Sequence, residues 1–390
     1  MARPTKSATK STTKSATKSV TTKNPYDPTT FKKEMGIDET SQKMKPITWL
    51  KFSDGYNKAL GVPGIPIGFG SQFIGFSDTG KSTAMYEAVV AAQKIGTFPI
   101  IVDTEGNWSW DYARSVGIKF EEYINAAGEE DIKGDFLFFQ DYDLVAMYDK
   151  FDYKEGKPKS KPLRTIAVIE DVARLFNEFA DKVLLGELER DVLFIWDSVG
   201  TVDCFASVQS LVGNNQWNAG VMKRAFQSFF KKITRTRRID FPYNMTIASV
   251  NKVWLDNSNM HPIVKQAGGE AWRFYNRFIV HTGGKTTSSA SRKEVTSQGQ
   301  TMNFGVETAI EVIKNQINGV SNKAAKICST PHGFVHPDDL NEYKAKNRAY
   351  FLELLGVGQD AELEFNTIEA ADKDPDFEEN EIIRIQGEDV

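Results

Sequence analysis

The chain has 390 residues, 40% of them hydrophobic and 26% charged, with a formal net charge of -4. This is an ordinary globular balance, enough for one large domain with appendages or for two domains. It excludes a membrane-spanning helix, a secretory signal and a disulfide framework: no apolar run is long enough, and the two cysteines, Cys204 and Cys328, lie far apart outside any paired motif, which also argues against zinc. The expected location is a reducing intracellular compartment, the cytoplasm.

The chain opens on "KSATKSTTKSATKSVTTK", with Lys6, Lys10, Lys14 and Lys18 in phase. Lys, Ser and Thr offer no apolar face to bury, so residues 1–24 read as a disordered basic arm suited to phosphates. Residues 25–60 read as a linker and a helical oligomerisation segment ending in "SDGYNKALG". Short apolar, β-rich runs then alternate with helical stretches such as 82–95 and 169–186. The runs are "QFIGF" (72–76), "FPIIVDTE" (98–105), "DFLFFQ" (135–140), "DVLFIWDS" (191–198) and "MTIASVNK" (245–252). The pattern predicts an α/β core over residues 61–330, with a mainly parallel central sheet flanked by helices. A Lys-rich stretch at about 141–165 reads as an inserted surface loop or hairpin. Residues 331–358 read as a small cap and 359–390 as an acidic disordered tail. Residues 1–26 hold six basic and no acidic residues, and 359–390 hold twelve acidic and two basic. Such asymmetry suggests nucleic acid and its control, or else plain solubilising tails. An acidic tail near a nucleic-acid channel is expected to weaken binding there.

"GFSDTGKST", Gly75–Thr83, matches G-x-x-x-x-G-K-[ST] between an apolar strand and a helix, the setting of a P-loop. Without a ligand it would be only a tight turn before a helix. As a cradle, Gly75, Phe76, Ser77, Asp78, Thr79, Gly80, Lys81, Ser82 and Thr83 wrap phosphate with backbone amides and the helix N-terminus. Lys81 neutralises the β- and γ-phosphates, and the Ser82 hydroxyl ligates Mg²⁺. Asp197, at the carboxyl end of "LFIWD", is the second metal anchor, with a helix cap as the plainer alternative. Glu105 ends the "IIVDTE" strand, expected next to the P-loop strand. It is the candidate base for water, with Asp103 two residues back on the same face; a surface Glu is the alternative.

The order of these residues resembles the bacterial and phage RecA-type recombinases. The likeness runs through "LGVPGIPIGFGSQFIGFSDTGKST", "VDTEGNWSWDYARSVGI", "WDSVG", "GNNQWNAGVMKRAF", "ASVNK" and "GGEAWRFYNRF", covering roughly residues 50–330. It implies a RecA-like ATPase core, ATP with Mg²⁺, and Glu105 as the catalytic glutamate. Tyr112 would stack on adenine, with a core aromatic as the alternative. Asn251 and Lys252 fall where the family places an Asn-Gln pair that senses the γ-phosphate, and Lys252 replaces the glutamine. Lys314 would reach a neighbouring subunit's nucleotide; Gln316 stands where the family has a second lysine. Two DNA-binding loops correspond to about 205–220 and 253–269 and are expected to be mobile. Lys223, Arg224 and Lys265 would supply charge, Trp217, Trp254 and Met260 wedges between bases, and Gly268 and Gly269 close the second loop. "KKITRTRR" (231–238) reads as a solvated face, a subunit contact or a DNA contact.

The expected activity is that of a DNA-dependent ATPase that forms helical filaments on single-stranded DNA and pairs it with homologous duplex. Loading or single-strand-binding proteins are accessory partners, and no membrane is involved. The tails and the departures from the bacterial pattern point to a phage and hence to host-cell cytoplasm. A replicative helicase built on the same core is the first alternative, although 25–60 is too short for a separate primase-binding domain. A non-catalytic recombination mediator is the second, and Glu105 argues against it.

Overall fold

Apolar strands without polar alternation need cover on both faces, and the fold supplies it. The computed structural model describes residues 32–35, 43–148, 165–210, 215–256, 263–284, 289–322 and 324–368. The basic arm, Met260, most of the Lys-rich stretch and most of the acidic tail lie outside them. The chain forms two units, Met1–Gln42 and Lys43–Val390; in the first, residues 32–35 make one helical turn.

The second unit begins with β1 (Trp49–Lys51), α1 (Asp54–Leu60), β2 (Gly64–Pro66), β3 (Gly70–Gly75), α2 (Lys81–Lys94), β4 (Phe98–Asp103) and α3 (Trp110–Val116). Next come β5 (Glu121–Ile124), β6 (Glu130–Lys133), β7 (Leu137–Gln140), α4 (Asp141–Tyr148), α5 (Ile169–Leu185) and β8 (Val192–Asp197). Then follow α6 (Phe205–Ser210), α7 (Asn215–Thr236), β9 (Met245–Asp256), β10 (Ile263–Gln266), α8 (Gly269–Tyr275) and β11 (Phe278–Thr282). The last are β12 (Ser291–Ser297), β13 (Gln300–Asn315), β14 (Ala325–Thr330), β15 (Gly333–Val335), α9 (Leu340–Lys346), α10 (Arg348–Leu355) and β16 (Glu364–Ile368).

The five apolar runs are β3, β4, β7, β8 and β9. The main sheet has the order β15-β14-β13-β11-β3-β9-β8-β4-β7. Strands β11, β3, β9, β8, β4 and β7 pair in parallel, and β13, β14 and β15 extend the sheet antiparallel. The expectation that the Glu105 strand neighbours the P-loop strand is corrected. From β3 the chain crosses over through α2 to β4, three strand positions away. The later crossovers place β8 and then β9 in the gap. The residues that matter still converge, because register aligns Asp103 with Asp197 and Gly75 with Lys252 at one end of the sheet.

Helix α2 covers one face, where Ala84, Val89, Phe73, Leu193 and Val250 share a core. Helices α5 and α7 cover the other. In α5, Ile169, Val172, Phe176, Ala180 and Val183 recur at helical spacing and meet Phe194, Phe226 and Phe229. Each such aromatic contributes about 1.5–3 kcal/mol by leaving water. The Phe194–Phe229 pair adds an edge-to-face contact at 4.9 Å.

Three stretches differ from the sequence reading. Residues 141–148, expected in a surface loop, form α4, because Leu144 and Tyr148, four residues apart, bury one face. The Tyr148 hydroxyl donates to Glu178 Oε2 at 3.0 Å. The stretch 205–220 carries α6 and the start of α7. Between 253 and 269, β9 and β10 pair as an antiparallel ladder with Trp254 opposite Lys265. Beyond residue 330 the chain first adds β15 to the sheet. Glu87 of α2, buried, there accepts from Phe334 N at 2.7 Å and from Ser53 N at 2.8 Å. Among the described residues no helix is long and apolar enough to cross a membrane.

Candidate functional site

The turn from β3 to α2 is shaped by contacts that only glycine permits at its two ends. A Cβ on Gly75 would lie 2.2 Å from Thr282 O, and one on Gly80, at φ 77°, would lie 2.1 Å from Ser329 Oγ. Thr79 ties the turn inward: its hydroxyl donates to Phe76 O at 2.9 Å and meets Thr282 Oγ1 at 2.8 Å. Asp78 adopts φ 57° at the exposed crest, next to Ser77. Gly80 caps α2 without a side-chain hydrogen bond, so no side chain competes for the helix's first amides, which suit an anion. The Lys81 ammonium folds back to donate to Phe76 O.

Charged groups crowd this end of the sheet. Burial pushes the Asp197 carboxyl up to about 7, helped by the charges of Glu105 and Asp103, while the Ser82 hydrogen bond and Lys81 pull it down. Burial lowers Lys81 to about 8, against the attraction of Asp197, Glu105 and Asp78, and Lys252 lowers it further. Lys81, Ser82, Asp197 and Glu105 therefore lie at one end of the sheet, and Lys252 joins them. Asp197 is 5% exposed and its Oδ1 has no partner. A hard cation fits that orphaned oxygen beside the Ser82 hydroxyl. Among the described residues no three His, Cys, Asp or Glu side chains cluster to hold a metal. A cation here would thus take its other ligands from phosphate and water.

Asp103 does different work from its neighbour. Its carboxylate accepts from Glu105 N, Gly106 N and Trp108 N, at 3.1, 2.8 and 3.0 Å. Glu105 itself is exposed. Tyr112 lies on α3, half-buried, in an edge-to-face pair with Tyr86 with ring centroids 4.7 Å apart. Its hydroxyl meets Thr83 Oγ1 at 3.0 Å and donates to Thr330 O at 3.1 Å, and burial raises its pKa.

Asn251 joins this end to the second predicted loop. It is fully buried in β9, opposite Ile74, and its Nδ2 donates to Ala267 O at 2.9 Å. Gly268 and Gly269 follow, both at positive φ, where α8 begins. A groove of about 660 Å³ opens here, lined by Asn218, Met222, Trp254, Lys265, Gln266, Gly268 and Gly269 among others. Trp254 is 39% exposed. Lys265 is paired with Asp256, so its charge is already balanced. Trp217, 46% exposed, and the exposed Lys223 and Arg224 lie on α7 outside the groove lining.

Lys314 is not brought to the P-loop of its own chain. It pairs with Ile279 at the start of β11, whereas Thr282, at the other end, pairs with Gly75. Its ammonium donates to Arg273 O at 2.6 Å at the end of α8, and burial beside Arg277 and Arg273 lowers it to about 8.

The basic run after residue 230 divides by role. Arg237 is buried, donating to Lys45 O at 2.8 Å and lying 4.4 Å over the Phe69 ring. Lys232 pairs with Asp181 and Arg238 with Asp240, both at 2.7 Å. Lys231 and Arg235 remain exposed. Sequence reasoning missed Thr282 and Ser329, which shape the cradle, because neither sits in a motif. It named Asp103 without a role, since the partners of that carboxylate are backbone amides.

A glycine-bounded turn with the P-loop pattern at the carboxyl end of a parallel sheet, with a buried acid two strands away, has the form of a P-loop type of α/β core. No family model matches the chain. It is 25% identical to Protein RecA of Streptococcus agalactiae over 262 residues, 66% of this chain and 54% of that protein. It is 36% identical to Protein RecA of Nitratidesulfovibrio vulgaris (strain DSM 19637 / Miyazaki F) over 72 residues, 18% of this chain and 20% of that one. The chain thus spans about half the length of one curated relative and a fifth of the other. The core is RecA-like in architecture, and weak homology ties the chain to RecA proteins.

Proposed function

We propose that this protein is an ATP-dependent DNA recombinase that polymerises on single-stranded DNA and pairs it with homologous duplex. The observation that carries the reading is one continuous arrangement. Lys81, Ser82, Asp197 and Glu105 converge at the sheet end, and Asn251, on the strand beside β3, is hydrogen-bonded into the turn that borders the groove.

The α2 amides and Lys81 would hold the β- and γ-phosphates. Ser82 and Asp197 would hold Mg²⁺, which supplies charge neutralisation between those phosphates. Glu105 would orient the attacking water and accept its proton. Tyr112 would contact the adenine. Asn251 and Lys252 would register the γ-phosphate, and the Asn251–Ala267 hydrogen bond would pass its presence to the Gly268–Gly269 turn. Trp254 would then stack or wedge against bases in the groove, with Lys223 and Arg224 near the backbone phosphates. Lys314, remote from its own cradle, suits contact with the nucleotide of an adjacent subunit in a filament.

The test is ATP hydrolysis with and without single-stranded DNA, followed by joint-molecule formation with homologous duplex. Strong stimulation and ATP-dependent joint molecules support the reading. Hydrolysis indifferent to DNA, or no joint molecules with ATP present, overturns it. Closed hexameric rings in electron micrographs would favour a helicase instead.

A further inference from the structure

Asp103 is a buried carboxylate that the mechanism above leaves without a task. It ends β4 and is 2% exposed. A carboxylate at that depth requires partners, and these are the amides of the residues that follow. Oδ1 accepts from Glu105 N at 3.1 Å and Gly106 N at 2.8 Å, and Oδ2 accepts from Trp108 N at 3.0 Å. Charge-assisted bonds of this type are the stronger ones. Three of them on one side chain fix the path of the chain immediately after Glu105.

The residue before Glu105 is fixed independently, to the strand that carries Asp197. Thr104 N donates to Asp197 O at 2.8 Å. The Thr104 hydroxyl donates to Ser198 O at 3.0 Å and accepts from Trp196 Nε1 at 3.1 Å. Glu105 thus sits between two anchored segments, and its charge reaches both Lys81 and Asp197.

We propose that Asp103 and Thr104 are positioning residues for Glu105: they lock the backbone on both sides of it, at the sheet end that carries Lys81 and Asp197, before nucleotide or DNA arrives. The inference rests on Glu105 being the base. Its physical weight comes from geometry, since a displacement of about 1 Å at a reacting group costs on the order of 10²-fold in rate. A corollary follows for control. The Glu105 half of the site is preformed within one chain, so DNA stimulation must act through the Asn251 half or through a neighbouring subunit.

The experiment compares Asp103→Asn, Thr104→Val and Glu105→Gln in the full chain. Asp103→Asn turns an amide acceptor into a donor. Thr104→Val keeps the shape, removes the hydroxyl, and serves if the first variant does not fold. DNA-stimulated hydrolysis gives kcat, and titration with a fluorescent non-hydrolysable ATP analogue gives affinity. We expect kcat to fall about 10- to 100-fold for Asp103→Asn and about 3- to 10-fold for Thr104→Val. Analogue affinity should stay within about threefold of the parent, as expected for a group that acts only on the chemical step. Asp103→Asn combined with Glu105→Gln should be no slower than Glu105→Gln alone, because a positioning residue has nothing left to position. The inference is overturned if kcat survives both variants, if affinity falls in step with kcat, or if the two losses multiply in the double variant. Undiminished hydrolysis in Glu105→Gln would remove Glu105 as the base and the inference with it.

Discussion

The two ends of the proposed signal path are built in opposite ways. At the phosphate end the side chains are tied. Thr79 and Thr282 pair, Asp103 holds three amides, Thr104 is fastened to the Asp197 strand, and Ser82 donates to Asp197. At the groove, Trp254 stands partly exposed on its strand, with Trp217 exposed on α7 outside the lining, and the Gly268–Gly269 turn is held to β9 through Asn251. The difference suits the proposed tasks. A displaced base or ammonium costs rate steeply, whereas a surface for unpaired bases must accept many sequences and profits from exposed π-faces.

Five substitutions break or sharpen this contrast. The largest effect is expected from Lys81→Ala, at the tied end. Phosphate release in the presence of single-stranded DNA should fall by at least about 10²-fold, since the main cation facing the phosphates is gone. Hydrolysis close to that of the parent would show that the cradle is not a nucleotide site. Next is the link between the ends. Asn251→Ala removes the bond to Ala267, and the ratio of DNA-stimulated to DNA-free hydrolysis should drop roughly 10-fold, a coupling of about 1–3 kcal/mol. An unchanged ratio would mean that the ends communicate by another route.

At the groove, Trp254→Ala should weaken single-stranded DNA binding by about 1–3 kcal/mol in fluorescence anisotropy, with a smaller loss for Trp217→Ala, whose side chain lies outside the groove lining. Equal losses would erase the distinction between groove and helix face. The smallest effect concerns stability. The Asp197 carboxyl is raised from 3.8 to about 7 in the folded protein. A raised carboxyl pKa means that ionisation disfavours the fold: the stabilising contribution is present in full below about pH 4 and is lost as pH rises through 7. Asp197→Asn should therefore raise the melting temperature of the Mg²⁺-free protein by a few degrees at pH 8, a gain of about 1–2 kcal/mol. The gain should shrink towards pH 4. Equal shifts at both pH values would sever the link between that charge and stability.

Much of the tied end was legible in the sequence. The strands β3, β4, β8 and β9 are uninterrupted apolar runs, and Gly75, Gly80, Lys81, Ser82 and Asp197 stand at their carboxyl ends in a spacing with few other uses. The order of the strands was not legible, because apolar pattern does not record which position a crossover fills, and β4 was placed beside β3 when β9 and β8 lie between. The groove was read least well. Polar, Gly- and Asn-rich composition suggested mobile loops at 205–220 and 253–269, yet tertiary packing folds much of them into α6, α7 and the β9–β10 ladder. Lys265 illustrates the limit: it stands in a segment expected to face DNA, and the cross-strand ladder places Asp256 against it.

The Gly75–Thr83 turn leans on residues that the ribosome adds long after it. Ser329 packs against Gly80, Thr330 accepts from Tyr112, and Phe334 donates to Glu87 in the first half of α2. Residues 75–94 are translated some 240 positions before Phe334, a long wait for a contact of such sequence separation. During synthesis, then, the emerging chain carries this turn in unfinished form, and its packing is completed only when nearly the whole core has left the exit tunnel.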